Sequence, residues 1–262
     1  MTIPRIFNRR LLQRHRIQAF STMGAHDFLF RAGGALIVEQ LEDCRKPFNQ
    51  ALELGYRQGY IPYPEGMIGS LITTDLCAPS PTPPFPFVVA DEEWLPFAEK
   101  SVDLITSNLN LHWINDLPGT LIQIYQTLKP GGLFLATLFG GETLHELRAS
   151  LLDYSIHYNK GLSPRISPFA DIKDMGSLLQ RAGFHNPVAD SNTLTIDYED
   201  IRLLLHDLKS MGEQNCLTTR SPHLMTPREF SGITETYTRL FIKEDNTIPA
   251  SFEIISLAGW KE

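Results

Sequence analysis

The sequence predicts an α/β protein with a doubly wound, mostly parallel seven-stranded sheet, N-terminal helices and a helical insertion before the last strand. Short apolar runs alternate with amphipathic segments throughout the 262 residues, which is the pattern of successive β–α–β units. Several of these runs end in an acidic or amide side chain, as strands often do at the ligand-binding edge of such a sheet.

The N-terminal half supplies the first helices and five strands. Residues 25–45 carry an apolar stripe at helical spacing. Residues 117–128 form a second helix, which Lys129-Pro130-Gly131-Gly132 would end, because lysine suits a helix C-terminus and Pro-Gly stops it. The strands are predicted at short apolar and β-branched runs, at 51–54, 70–74, 87–90, 102–107 and 133–138.

The C-terminal half supplies the remaining helices and two strands. A helix over 171–182 would be stopped by Gly183. The other predicted elements are helices at 142–154, 200–211 and 228–241 and strands at 194–198 and 252–258. The chain order β-α-β-α-β-β-α-β is therefore followed by helices and two more strands, with the insertion at about 199–242.

Prolines interrupt this pattern in two places. The stretch CAPSPTPPFP at 77–86 contains five prolines and cannot be helical, because proline lacks an amide donor and clashes with the preceding turn. Pro62 and Pro64 fall where the helix after the first strand should begin. We expect them to shorten or displace that helix.

Composition excludes several classes of function. The net charge of −7 argues against a general nucleic-acid-binding protein, which would show a basic footprint. The three cysteines are widely spaced and form no zinc-binding pattern, which indicates reduced thiols and no structural metal site. No apolar run approaches the ~20 residues of a membrane span.

The first twenty residues contain five arginines and no acid. Such a segment is typical either of an organelle transit peptide or of a basic amphipathic helix that covers a nucleotide pocket or touches an acidic partner or a membrane surface. Transit peptides are also rich in serine, and the segment has none before Ser21. The structural helix is therefore the preferred interpretation.

Polar residues follow four successive strands, where ligands bind in open parallel sheets. Glu53 and the Gly55–Gly59 loop follow the first strand, and Asp75 comes 22 residues later, a spacing typical of an acid that binds ribose hydroxyls. Asp91 and Asn108 follow the third and fourth strands. The loop contains neither GxxxxGK[ST] nor a strict GxGxxG, and Arg57 stands where a glycine is expected.

Longer segments carry a resemblance to a known family. The segments that carry it include LELGYRQGYI, VVADEEWLPFAEKSVDLITSNLNLHWINDLPG, TLKPGGLFLATLFGGETLHELR and the terminal IPASFEIISLAGWKE. With these segments the sequence resembles the class I S-adenosylmethionine-dependent methyltransferases, which have a Rossmann-like fold. Within them it is most similar to the branch that holds the complex I assembly factor of arginine hydroxylase type and the malonyl-carrier-protein methyltransferase of biotin synthesis.

The resemblance implies that S-adenosylmethionine is the cofactor and that Glu53, Gly55 and Gly59 form its loop. Asp75 would hold the ribose, Asp91 and Glu92 would flank the adenine, and Asn108 would lie near the methionine end. Residues 1–262 would form one domain, with an N-terminal helical segment at 1–48, a cofactor-binding half at 49–140 and a substrate-side half at 141–262. No His-x-Asp/Glu motif supports a non-haem iron site.

Three functions follow as hypotheses. The first is modification of a protein partner at an arginine during respiratory complex I assembly, in a bacterial cytoplasm or a mitochondrial matrix. The second is O-methylation of malonyl-carrier protein. The third is a non-catalytic scaffold whose cofactor affinity is weakened by Arg57 and by the prolines.

Overall fold

The computed structural model describes residues 5–158, 164–221 and 225–262. Its strands are β1 (Phe48–Leu54), β2 (Ile68–Asp75), β3 (Phe87–Val89), β4 (Val102–Ser107), β5 (Leu128–Phe139), β6 (His185–Tyr198) and β7 (Ile248–Trp260). They form one sheet in the order β3-β2-β1-β4-β5-β7-β6. The first five strands are parallel, and β7 runs antiparallel to both of its neighbours. The predicted fold class is confirmed.

The helices are α1 (Arg9–Ala19), α2 (Phe28–Cys44), α3 (Leu117–Thr127), α4 (His145–His157), α5 (Ile172–Ala182), α6 (Ile201–Ser210) and α7 (Pro227–Phe241). Several begin at a side chain that caps the first turn. Asn8 accepts a hydrogen bond from the Leu11 amide, and Thr226 and Glu229 form a reciprocal capping box. Because α6 and α7 lie between β6 and β7, the predicted helical insertion is confirmed.

Two helices of the predicted order are absent from the described residues. No helix joins β1 to β2, and none joins β2 to β3. The prolines explain both differences, because Pro62 and Pro64 interrupt the first connection and the proline stretch at 77–86 fills the second. In the part of the chain that the structure describes, the connection from β1 to β2 therefore supplies no helix N-terminus to the loop after β1.

The last two strands are longer than predicted. β6 begins nine residues before the predicted 194, and β7 extends to Trp260. The two strands pair antiparallel along most of their length. In β6 exposed residues alternate with half-buried ones, so its early part lacks the apolar run that marks a central strand.

Helices cover both faces of the sheet. On one face, Ile37 and Leu41 of α2 pack against β1 and β4, and on the other α3 and α5 cover residues such as Phe134 and Leu257. α1 lies across the carboxyl ends of the strands with Leu12 fully buried. The segment before α1 is fixed there, since the Asn8 amide donates to the Cys216 carbonyl at 2.8 Å. No helix of the described residues is long and apolar enough to cross a membrane.

Candidate cofactor site and adjoining cavity

The acids predicted at the strand ends form ion pairs with arginines of the same chain and do not face an open pocket. The Arg16 guanidinium of α1 donates to Asp75 Oδ1 at 2.8 Å, and it also contacts Asn110 Oδ1. The second oxygen, Asp75 Oδ2, accepts the backbone amide of Arg57 at 3.0 Å. The side chains of Arg16 and Asp75 are each 1% exposed. Both oxygens of the acid that should bind ribose are therefore engaged within the chain.

A second arginine of α1, Arg9, neutralises Glu92, which follows β3. Arg9 contacts Glu92 Oε2 and lies 2.7 Å from Asp91 Oδ1, while Asn110 Nδ2 donates to Glu92 Oε1 at 3.0 Å. Burial alone would raise the pKa of Glu92, but the charges of Arg9 and Arg16 hold it below its usual value. Glu92 is therefore ionised and paired. Asp91 remains partly exposed.

Arg57 lies in the predicted cofactor loop, but its side chain binds Met211 and Glu213 at the end of the insertion helix α6. Its φ is +56°, so this arginine adopts the left-handed conformation that a glycine would take more readily. Its side chain is buried, contacts the Met211 carbonyl and lies 3.3 Å from Glu213 Oε1. Its guanidinium also stacks 5.1 Å from the centre of the Phe30 ring. Burial and the like charge of Arg16 lower its pKa.

Glu213 joins the loop after α6 to the residues that follow β4. Its Oε2 accepts from the Trp113 indole at 2.8 Å and lies 3.1 Å from His112 Nε2. Burial alone would raise the pKa of Glu213, but the hydrogen bond from His112 and the charges of Arg57 and Arg16 hold it below its usual value. The carboxylate is thus fixed in its ionised form.

We call these three arginines and three acids the arginine–carboxylate cluster, of which all but the partly exposed Arg9 are buried: Arg9, Arg16, Arg57, Asp75, Glu92 and Glu213. Its formal charges cancel, as buried charges must be paired to be tolerated. Its hydrogen bonding is incomplete, because Arg16 Nε and two guanidine nitrogens of Arg57 have no partner. A partly satisfied network of this kind is less stable than a complete one.

The remaining predicted residues also bind the chain itself. Asn108 donates to the Phe30 carbonyl at 2.8 Å and accepts from Thr137 Oγ1 at 2.9 Å, so it ties α2 to β5 and lies outside the cluster. Glu53 accepts from the Tyr63 hydroxyl at 3.0 Å. Burial raises the pKa of Glu53 to about 8, and the charge of Asp75 adds to this effect.

The two loop glycines face side chains of the same chain. Gly55 and Gly59 have φ values of +71° and +79°, as expected for a tight turn after a strand. A Cβ at Gly55 would come within 2.3 Å of the Asn110 side chain, and one at Gly59 within 2.6 Å of the Tyr56 hydroxyl. The close approach that these glycines allow is made by Asn110 and Tyr56.

A nucleoside cofactor does not fit this arrangement. Asp75, Glu92 and Glu53 are at most 1% exposed, so Asp91 is the one predicted acid that still adjoins solvent. The space in front of Asp75 is filled by Arg16. Binding at this place requires Arg16 to leave, and the cofactor role of the predicted residues stays a prediction.

An apolar cavity of about 350 Å³ adjoins the cluster. Aromatic rings form much of its wall, and the buried Glu213 also lines it. Two cations, Arg165 and Lys209, line it as well. A cavity with mostly apolar walls and a few charged groups can receive one side chain or small group of a partner. Its other lining residues include Trp113, Phe139, Phe169, Phe230 and Phe252.

Sequence reasoning found the acids but missed most of their partners. Arg16, Asn110 and Glu213 lie far from Asp75 in the chain, and no local pattern links them. Two signals were present: a run of arginines without acids before α1, and the segment Met211-Gly212-Glu213. Only the fold shows that these segments meet.

Comparisons with known proteins agree with this fold. The family model for the "Methyltransferase domain" matches residues 71–136. The chain is 38% identical over 243 residues to the mitochondrial arginine-hydroxylase NDUFAF5 of Mus musculus, covering 90% of this chain and 71% of that protein. It is also 38% identical over 176 residues to the malonyl-[acyl-carrier protein] O-methyltransferase of Gallionella capsiferriformans, covering 66% of this chain and 57% of that protein.

A solved structure shows the same architecture. The 1,6-didemethyltoxoflavin-N1-methyltransferase of Burkholderia thailandensis, with bound S-adenosylhomocysteine, superposes with a TM-score of 0.51 at 15% identity and covers 97% of this chain and 88% of its own. At that identity the likeness concerns the fold alone. The 38% identity to NDUFAF5, over 71% of that protein, shows that the chain belongs to the NDUFAF5 family, and the matching methyltransferase model places this family in the S-adenosylmethionine-dependent methyltransferase superfamily.

Proposed function

We propose that this chain acts on an arginine of a protein partner during the assembly of respiratory complex I. The observation that supports the proposal most strongly is the similarity to mouse NDUFAF5, which covers 90% of the chain. The similarity to the carrier-protein methyltransferase of Gallionella capsiferriformans covers 66% of the chain. The compartment would be the matrix in a mitochondrion and the cytoplasm in a bacterium.

The cavity would receive the arginine side chain. Its aromatic and aliphatic walls suit the methylene stem, and aromatic faces attract a guanidinium. Glu213 also lines the cavity, and an incoming guanidinium would have to share this carboxylate with Arg57. Arg165 and Lys209 would then contact acidic groups that flank the arginine in the partner.

S-adenosylmethionine would be the cofactor of this family member only in a second conformation. Glu53, Gly55, Gly59, Asp75, Asp91, Glu92 and Asn108 would hold it, and its sulfonium would supply a transferable methyl group. In the conformation described, Arg16 occupies that place, and Arg57 replaces the glycine of the loop. We therefore expect weak affinity until α1 moves away.

A non-catalytic scaffold is the second candidate, and the arginine–carboxylate cluster favours it. A chain that no longer needs the cofactor could fill the site with its own charged side chains. The hypothesis of carrier-protein methylation finds support in Arg165 and Lys209, which could hold a malonyl carboxylate. It requires the methyl donor, however, and Arg16 stands in its place.

The experiment is a deletion strain complemented with variants. Complex I assembly and arginine modification of its subunits would be measured by native gels and peptide mass spectrometry. We expect the deletion to lose both and Leu205→Trp, which narrows the cavity from its exposed side, to restore neither. The control Glu235→Gln changes an exposed acid of α7 and should complement fully.

Three other outcomes separate the hypotheses. Normal complex I with intact arginine modification in the deletion strain would refute the proposal. Lost assembly with unchanged arginine modification would favour the scaffold. Biotin dependence together with lost methylation of malonyl-carrier protein would favour the methyltransferase hypothesis.

A further inference from the structure

Three side chains with metal-binding atoms meet outside the cluster and the cavity wall. His26 follows the short 3-10 turn Met23–Ala25, and His206 and Asp207 are consecutive residues of α6. One ligand atom of each lies within 4.8 Å of the other two. Among the described residues, these three side chains form the group of histidine, cysteine, aspartate or glutamate residues that lies close enough together to hold an ion.

The geometry needs only a small adjustment to hold an ion. His26 Nδ1 lies 2.6 Å from Asp207 Oδ1, and the two imidazole rings are 4.9 Å apart, centre to centre. An ion about 2.0–2.2 Å from each nitrogen and oxygen would need ligand atoms roughly 3 Å apart. His206 is exposed, so its side chain can rotate to close the remaining gap without disturbing the core.

A second group supports the carboxylate. The Tyr198 hydroxyl donates to Asp207 Oδ2 at 2.9 Å, which leaves Oδ1 directed toward His26. Hydrogen bonds of this kind orient ligand groups in metal sites. Two imidazoles, one carboxylate and an outer hydrogen bond form a donor set that suits zinc or iron(II), with open positions for water.

We propose that His26, His206 and Asp207 bind a divalent transition-metal ion, Zn²⁺ or Fe²⁺. The sequence search for a local His-x-Asp/Glu motif could not find this set, because His26 lies 181 residues from Asp207. The ion would join the segment after α1 to the insertion helix α6. At the same junction Thr22 Oγ1 donates to the Ser210 carbonyl at 3.1 Å, so the metal would hold α1 against the cluster.

The competing explanation is a simple ion pair between His26 and Asp207, with His206 nearby by chance. His206→Gln separates the two, because it removes a metal ligand and leaves that ion pair intact. His185→Gln is the matched control, since His185 is another histidine beside a carboxylate, 3.2 Å from Glu262. Circular dichroism of the metal-free variants would verify that both are folded.

The test is titration of the full, tag-free and chelator-treated chain with Zn²⁺, and with Fe²⁺ without oxygen, by calorimetry and thermal denaturation. We expect one ion per chain, a Tm rise of roughly 5 °C at saturation, and at least a tenfold loss of affinity in His206→Gln but none in His185→Gln. Absence of binding to the wild-type chain, or equal binding by His206→Gln, would overturn the proposal.

Discussion

The guanidinium of Arg16 lies 2.8 Å from the Asp75 carboxylate, although 59 residues separate them in the chain. An arginine of the first helix thus makes the contact that the family resemblance assigns to the ribose of a cofactor. Arg9 and Arg57 extend this arrangement to Glu92 and Glu213. The fold is that of a methyltransferase, and the position that the family resemblance assigns to a cofactor is filled by the chain's own charges.

Arg16→Ala should lower the free energy of unfolding by about 3 kcal/mol, because it leaves Asp75 buried without its counter-charge, whereas Glu92 keeps Arg9. Urea denaturation would measure the change. Arg14→Ala is the control, since Arg14 is exposed on the same helix and its loss should change stability little. Equal stability of the two variants would mean that the Arg16 ion pair contributes nothing.

The thiols report whether α1 is docked. Cys77 and Cys216 are buried beside the cluster, and burial raises the pKa of each to about 12, whereas Cys44 is only half buried. At pH 8 a thiol reagent should therefore modify Cys44 first. In Arg16→Ala we expect Cys77 to react several-fold faster than in the wild-type chain, as measured by peptide mass spectrometry.

Unchanged Cys77 reactivity in Arg16→Ala would show that α1 stays docked without its central arginine. The same labelling, repeated with a purified partner, would show whether the partner displaces α1. Arg14→Ala again serves as the control, because its exposed side chain makes no contact with the cluster.

Glu53 makes stability depend on pH in a defined direction. Its pKa in the folded chain is about 8, above the value of an exposed glutamate, so the folded state binds one proton more than the unfolded state between about pH 4.5 and 8. The free energy of unfolding should therefore fall as pH rises through this window. Glu53→Gln should remove that loss, which amounts to at most about 5 kcal/mol over the whole window.

The measurement compares urea midpoints of the wild-type chain and Glu53→Gln at pH 5 and pH 8. Glutamine keeps an acceptor for the Tyr63 hydroxyl, so the variant should remain folded. A constant difference between the two proteins across this pH range would contradict the assignment of a neutral carboxyl to position 53.

Sequence reasoning predicted the sheet where local pattern determines structure. β4 was predicted at its observed bounds, because Val102, Leu104 and Ile105 form a short run of buried apolar residues around a single polar position. The first half of β6 was missed, since an edge strand with alternating exposure owes its conformation to pairing with β7. The general β–α–β order placed helices after β1 and β2. The prolines predicted instead that 77–86 is not helical and that the first helix is shortened or displaced, and the described residues contain neither helix.

The candidate site divides in the same way. Glu53, Asp75, Asp91 and Glu92 could be located from their positions at strand ends. Their partners could not, because contacts such as Arg57 with Glu213 span 156 residues and depend on where α1 and the insertion pack. The sequence suggested that α1 covers the pocket, but only the structure shows that Arg16 fills it.

The most direct test is calorimetric titration of S-adenosylmethionine into the wild-type chain, Arg16→Ala and Asp75→Ala. Filling of the site by Arg16 predicts weak, millimolar binding to the wild-type chain, at least tenfold tighter binding to Arg16→Ala, and no such gain in Asp75→Ala. Micromolar binding to the wild-type chain, about −8 kcal/mol, that is lost in Asp75→Ala and not improved in Arg16→Ala would contradict the account.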